Sequence, residues 1–170
     1  MDILQKLKNK QRRIGLTGGI ASGKTTITNY IRKHKNTPIL DADNLSRELI
    51  KPNTYGYKKI LDYFGNKIIV NENNSEREIN RKLLRKIIFK NTESKEWIEK
   101  LLHPLIKEKM IEECSQYKNN QTIVLVIPLL FEANFDDICT EIWLVKCPKE
   151  LQKKDLSKEI KLAKKKHMSP

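Results

Sequence analysis

Gly18-Gly19-Ile20-Ala21-Ser22-Gly23-Lys24-Thr25 fits the spacing G-x-x-x-x-G-K-[ST]. Glycines at these places let the chain curl until successive backbone N–H groups point inward at an anion. Upstream, Arg13-Ile14-Gly15-Leu16-Thr17 is a short apolar run stopped by the glycines, and downstream Ile27 and Ile31 recur at helical spacing. Strand, loop and helix in that order suit phosphate binding, because the helix N-terminus adds the positive end of its dipole. Lys24 then neutralises the outer phosphates of a bound nucleotide, and the Thr25 hydroxyl can hold Mg²⁺. A purely structural glycine turn is the alternative reading.

Working outward, Pro38-Ile39-Leu40-Asp41 predicts a second strand and Asp43 to Ile50 the helix after it. In an open α/β sheet the ligand lies beyond the carboxyl ends of the strands, so Asp41-Ala42-Asp43 is expected to share a crevice with the glycine loop. Of the pair, Asp43 is the expected catalytic carboxylate, since a cap position at the helix start would aim it into that crevice. The structural alternative is that Asp43 does nothing but cap.

The middle third predicts helices: Tyr57 to Phe64 ending at Gly65, Arg81 to Phe89 capped by Asn80, Lys95 to Leu102 capped by Ser94, and one opened by Pro104 that reaches Tyr117. Strands return at Thr122 to Ile127, apolar on both faces, and at Glu141 to Lys146. Alternation of this kind predicts a mostly parallel sheet with a helical insert over its edge. The strand from Ile123 to Ile127 runs straight into Pro128-Leu129-Leu130-Phe131-Glu132 and offers no acidic residue at its end, so carboxylate work falls to Asp43, with Glu132 a weaker candidate. His103, at the joint before Pro104, reads as structural on its own.

The chain of 170 residues is one domain's length, and 38% hydrophobic with 32% charged residues excludes linker-like and collagen-like compositions. Its formal charge of +13 raises a polyanionic partner, yet the basic residues alternate with Glu and Asn, as in Ser94-Lys95-Glu96-Trp97-Ile98-Glu99-Lys100, and do not form one aromatic-lined stripe. Nucleic-acid binding is therefore not expected. No run nears the roughly 18 apolar residues a bilayer crossing needs, so neither is membrane association. With three cysteines but no C-x-x-C pair, and no apolar stretch at the N-terminus, the cytoplasm is the expected compartment. No feature specifies an oligomer.

Four segments together resemble the dephospho-CoA kinases: Thr17 to Thr25, Asp41-Ala42-Asp43, Leu101-Leu102-His103-Pro104-Leu105-Ile106, and Pro128-Leu129-Leu130-Phe131-Glu132. The resemblance spans about Arg13 to Gln152. It implies a P-loop NTPase-type α/β fold in three layers with an inserted helical acceptor-binding subdomain, and ATP-dependent phosphorylation of the ribose 3′-hydroxyl of dephospho-CoA. It also implies that Ala21 to Thr26 hold the ATP phosphates, that Asp43 faces the hydroxyl, and that Thr17, Arg81, His103 and Pro104 belong to the acceptor side. The expected organisation is a basic extension at 1–11, the kinase domain at 12–152 with its insert at about 52–118, and an atypical tail at 153–170. Another small P-loop kinase of the nucleoside type, and a catalytically impaired nucleotide-binding remnant, are the rival readings.

The tail is where the resemblance fails. That family continues with an arginine-bearing lid helix, whereas here no arginine follows Arg85 and the chain runs Lys153-Lys154-Asp155-Leu156-Ser157-Lys158-Glu159-Ile160. Back-translating Asp155 to Pro170 with a one-base shift yields codons that read close to the missing lid, so a single-base insertion or deletion near Lys154 is expected. Between Asp155 and Pro170 five lysines against two acids contribute +3 of the +13.

Overall fold

Leu16 is fully buried at the centre of the first strand, β1 (Arg12–Gly18), and the sheet is built around that strand. In the computed structural model, which describes residues 11–70, 77–118 and 121–148, β1 pairs in parallel with β3 (Thr122–Val126) on one side and with β4 (Glu141–Val145) on the other. The short β2 (Ile39–Asp41) lies beyond β3, giving the order β2-β3-β1-β4. The parallel α/β sheet expected from alternating strands and helices is thus present.

Burial follows strand position. In β3 all residues after Thr122 are buried, as an apolar run between two neighbours should be. β4 is less buried: among the described residues β1 alone pairs with it, and Trp143 and Leu144 are exposed. Ile14, Leu16, Val124 and Val126 form one apolar face, onto which Ile27 and Ile31 of α1 (Lys24–Lys35) pack at the spacing read from the sequence. The Arg12 guanidinium grips the Glu141 carboxylate through Nε and, at 3.2 Å, through Nη2, joining the start of β1 to the start of β4.

The described residues fall into two compact units, one within Met1–Ile39 and Lys118–Pro170, the other within Leu40–Tyr117. The second contains α2 (Ala42–Glu48), α3 (Tyr55–Phe64), α4 (Arg81–Lys90) and α5 (Thr92–Ser115). Tyr57, Ile60, Phe64, Ile68, Leu84 and Ile98 are among its core residues, and the Tyr63 and Trp97 rings stack with centroids 4.0 Å apart. One antiparallel bridge, Ile69 with Ile79, ties the segment before α4, a contact no local pattern announced.

Local chemistry corrects two expected caps and one expected helix break. Asp41, not Asp43, caps α2: its Oδ1 accepts from the backbone N–H groups of Asp43 and Asn44 at 2.9 and 3.3 Å. Asn91, not Ser94, caps α5, and it does so by accepting the Ser94 N–H itself. α5 then runs through Pro104 without a break. Proline lacks the N–H that would bond the Lys100 carbonyl and so weakens the helix locally. Ile98, Ile106, Met110 and Cys114 are buried on both sides of it, and that burial holds the two halves as one rod.

Two outcomes follow. Pro104 is exposed, so Pro104→Ala restores a backbone bond without opening a cavity; thermal melts should show the variant more stable by up to about 3 kcal/mol. The hydrogen bond from Arg12, helped by the Trp143 indole, holds the Glu141 carboxyl below its ordinary pKa. A lowered native pKa stabilises above the unfolded-state value and loses that stabilisation as pH falls through the native one. Glu141→Gln should therefore melt below the parent at neutral pH, with the gap closing as the solution is acidified past the usual carboxylate range.

Candidate active site

The glycine loop leaves β1 at Gly18, where φ is +153°, a backbone conformation side chains disfavour. A Cβ at this residue would stand 2.5 Å from the Val145 carbonyl oxygen and 2.8 Å from the Ser22 hydroxyl, so the loop needs a residue with no side chain. Gly23, at φ +96°, ends the loop as the N-cap of α1 and supplies no side-chain acceptor. The other four α-helices among the described residues are each capped by a side-chain oxygen, from Asp41, Thr54, Asn80 and Asn91. The first turn of α1 carries no acidic residue either, so no side-chain oxygen caps this helix start and its positive dipole end faces the loop uncompensated by a carboxylate of its own first turn.

Side chains complete the loop. Lys24 Nζ donates to the carbonyls of Gly18 at 2.6 Å and Gly19 at 2.9 Å, which holds the ammonium over the curl. Ile20 is 77% exposed at the tip, and Ala21 adopts a left-handed φ of 55°. The Ser22 hydroxyl, within the loop the sequence marked for phosphate, is buried with no hydrogen-bond partner among the described residues. Thr25 is exposed, and only its carbonyl is engaged, by the Thr28 hydroxyl at 3.0 Å. Thr26 is exposed on the next position. Thr17 is buried in β1 and donates its hydroxyl proton to the Pro128 carbonyl at 3.1 Å.

The helical unit contains a cavity of about 730 Å³. Ile50, Ile79, Leu84, Ile98 and Leu102 give it an apolar wall, while Asp43, Arg47, Arg81, Lys82 and Arg85 line it with charge. Asp43 and Arg81, singled out separately in the sequence, are therefore brought onto one surface. Asp43 is free for chemistry there because Asp41 does the capping. His103 and Pro104 lie on α5, half-buried and exposed respectively, and neither lines that cavity. Arg47 and Arg85 do line it and were not anticipated. Their signal was available in outline, since Arg47 follows Asp43, and Arg85 follows Arg81, by the four residues that put side chains on one helix face.

The family model described as dephospho-CoA kinase matches residues 12–167. The chain belongs to the dephospho-CoA kinase family. A dephospho-CoA kinase of Prochlorococcus marinus strain MIT 9312 is 83% identical over 165 residues, covering 97% of this chain and 80% of the relative. Its counterpart in P. marinus subsp. pastoris is 65% identical over 158 residues, covering 93% and 77%. Among solved structures, TT1252 from Thermus thermophilus superposes with a TM-score of 0.71 at 26% identity, covering 95% of this chain and 82% of that one. A dephospho-CoA kinase from Campylobacter jejuni, at 24% identity and TM-score 0.62, covers 91% and 83% and shares the fold.

The family match runs past Gln152, where the resemblance read from motifs stopped, to residue 167. The tail at 153–170, expected to be atypical, and residues 1–10 of the basic extension expected at 1–11 lie outside the described residues. Among the described residues no helix is long and apolar enough to cross a membrane.

Gly18→Ala tests the loop directly. Its methyl group has to displace the Val145 carbonyl or the Ser22 hydroxyl, so ATP affinity measured by calorimetry should fall at least about tenfold, with a stability loss of about 1–3 kcal/mol.

Proposed function

We propose that this chain transfers the γ-phosphoryl group of ATP to the ribose 3′-hydroxyl of dephospho-CoA, forming coenzyme A in the last step of its synthesis, in the cytoplasm. One observation carries the assignment of roles: Asp43, relieved of capping by Asp41, lines the same cavity as Arg81 in a chain whose only α-helix without a side-chain cap, among the described residues, follows a glycine loop.

Phosphoryl transfer asks a protein to position reactants and neutralise charge and leaves it little covalent work. The backbone N–H groups from Ala21 to Thr26 would hold the ATP phosphates. Lys24 would exchange the Gly18 and Gly19 carbonyls for phosphate oxygens, a like-for-like swap of acceptors around one ammonium. The exposed Thr25 hydroxyl fits Mg²⁺, which when bound spreads the charge of the phosphates. Among the described residues no cluster of three or more His, Cys, Asp or Glu side chains could hold a metal, so that ion would share its coordination with the nucleotide.

On the acceptor side, Asp43 would take the proton from the 3′-hydroxyl as its oxygen attacks, and Arg81 would balance charge near it. Thr17 has its proton committed to Pro128, which leaves its oxygen as an acceptor for a substrate group. The resemblance assigns His103 and Pro104 to the same side.

ADP release from Mg-ATP, measured with and without dephospho-CoA, is the direct assay, and acceptor-dependent release is the expected result. Replacing Asp43 by Asn should lower turnover by about 10²- to 10⁴-fold and leave ATP affinity unchanged. Undiminished turnover in that variant would remove Asp43 from the role, and turnover of nucleosides in place of dephospho-CoA would turn the assignment to another small P-loop kinase.

A further inference from the structure

The cavity of the helical unit carries more positive charge than Asp43 balances. Arg47, Arg81, Lys82 and Arg85 bring four positive charges to its lining against one negative, a surplus of three. None of the four has an ion-pair or hydrogen-bond partner among the described residues. Exposed arginines are ordinary when they stand in open water. These stand around a concave wall that includes buried Ile79, Leu84 and Ile98, where field lines are focused and an anion is held more tightly than on a convex surface.

Spacing narrows the choice of anion. Arg47 lies one helical turn from Asp43 on α2, and Arg85 one turn from Arg81 on α4, so each helix offers two charged side chains about 5–6 Å apart at Cβ. Dephospho-CoA has matching chemistry: the ribose that bears the 3′-hydroxyl carries the diphosphate on its 5′ carbon, and beyond the diphosphate comes a long uncharged arm. A carboxylate for the hydroxyl, guanidinium forks one turn away for the diphosphate, and an apolar wall for the arm use each part of the cavity once. Arginine suits the middle task because its planar fork meets two phosphate oxygens at once.

We propose that Arg47 and Arg85 are the specificity-determining pair that reads the acceptor's diphosphate. The proposal rests on the function assigned above, and it extends the acceptor site to two residues that neither the motifs nor the resemblance named.

Calorimetric titration of the full chain with dephospho-CoA, and separately with ATP, tests it. Arg47→Gln and Arg85→Gln should each weaken dephospho-CoA binding by about 10- to 100-fold, leave ATP binding within twofold, and keep the parent's melting temperature, since both side chains are exposed. Added KCl should weaken binding less steeply in the variants than in the parent, because screening acts only on charges that are present. Arg47→Lys should recover part of the loss and not all of it. The double variant binding dephospho-CoA within twofold of the parent would overturn the proposal, as would a parent chain that does not bind dephospho-CoA. Binding by the parent with the expected losses, but without turnover, would uphold the pair while refuting the catalytic assignment of the preceding subsection.

Discussion

The turn at Gly18 depends on a close approach: the Val145 carbonyl stands where a side chain of residue 18 would be. That approach exists because β1 is held between β3 and β4 by two parallel ladders, with Ile14 and Leu16 buried in the apolar face and the Arg12–Glu141 pair fixing the start of β4. The phosphate loop is consequently a property of the sheet as much as of its own eight residues. Strand pairing sets where the chain turns, the turn sets where α1 begins, and α1 begins on a glycine that leaves its first N–H groups without a side-chain acceptor.

The contrast with the other helices gives that omission its meaning. Asp41, Thr54, Asn80 and Asn91 each satisfy the start of a helix with an oxygen. A cap replaced by Ala typically costs about 1 kcal/mol, so leaving α1 uncapped is a cost the fold accepts at one end among the described helices. An anion at that end recovers it. The same economy divides Asp41 from Asp43: two carboxylates two residues apart point differently, one spent on the backbone N–H groups of α2 and the other left on a cavity wall.

Most of the sheet and the loop were legible in the sequence because their signals are local. Alternation, an apolar run, glycine spacing and the Ile27/Ile31 period each act over a few residues and survived folding unchanged. The misreadings came where two local signals competed. Asp41 and Asp43 can both cap, and the choice turned on which one the chain leaves in extended geometry, as Asp41 is. Asn91 and Ser94 posed the same question three residues apart, and Asn91 took the cap by accepting Ser94's own N–H. Pro104 reads as a helix start because its missing N–H is harmless there. Inside α5 it is tolerated because burial of Ile98 before it and Ile106, Met110 and Cys114 after it, at roughly 1.5–3 kcal/mol for each large side chain, outweighs the roughly 3 kcal/mol of a broken turn.

What was not legible is the cavity, since its lining comes from α2, α4, α5 and the residues around the Ile69–Ile79 bridge, and only folding brings these together. Net charge gave no guide to it. A formal +13 is spread over helix faces, and on α5 Lys95 and Lys109 meet Glu99 and Glu112 in exposed pairs that contribute little to stability. Such lysines answer to water and to neighbours on their own helix. The cavity arginines form no ion pair among the described residues, and they stand beside buried isoleucine and leucine. A guanidinium next to an apolar wall has lost part of its hydration without gaining a carboxylate, so an anionic substrate group has the most to offer it there.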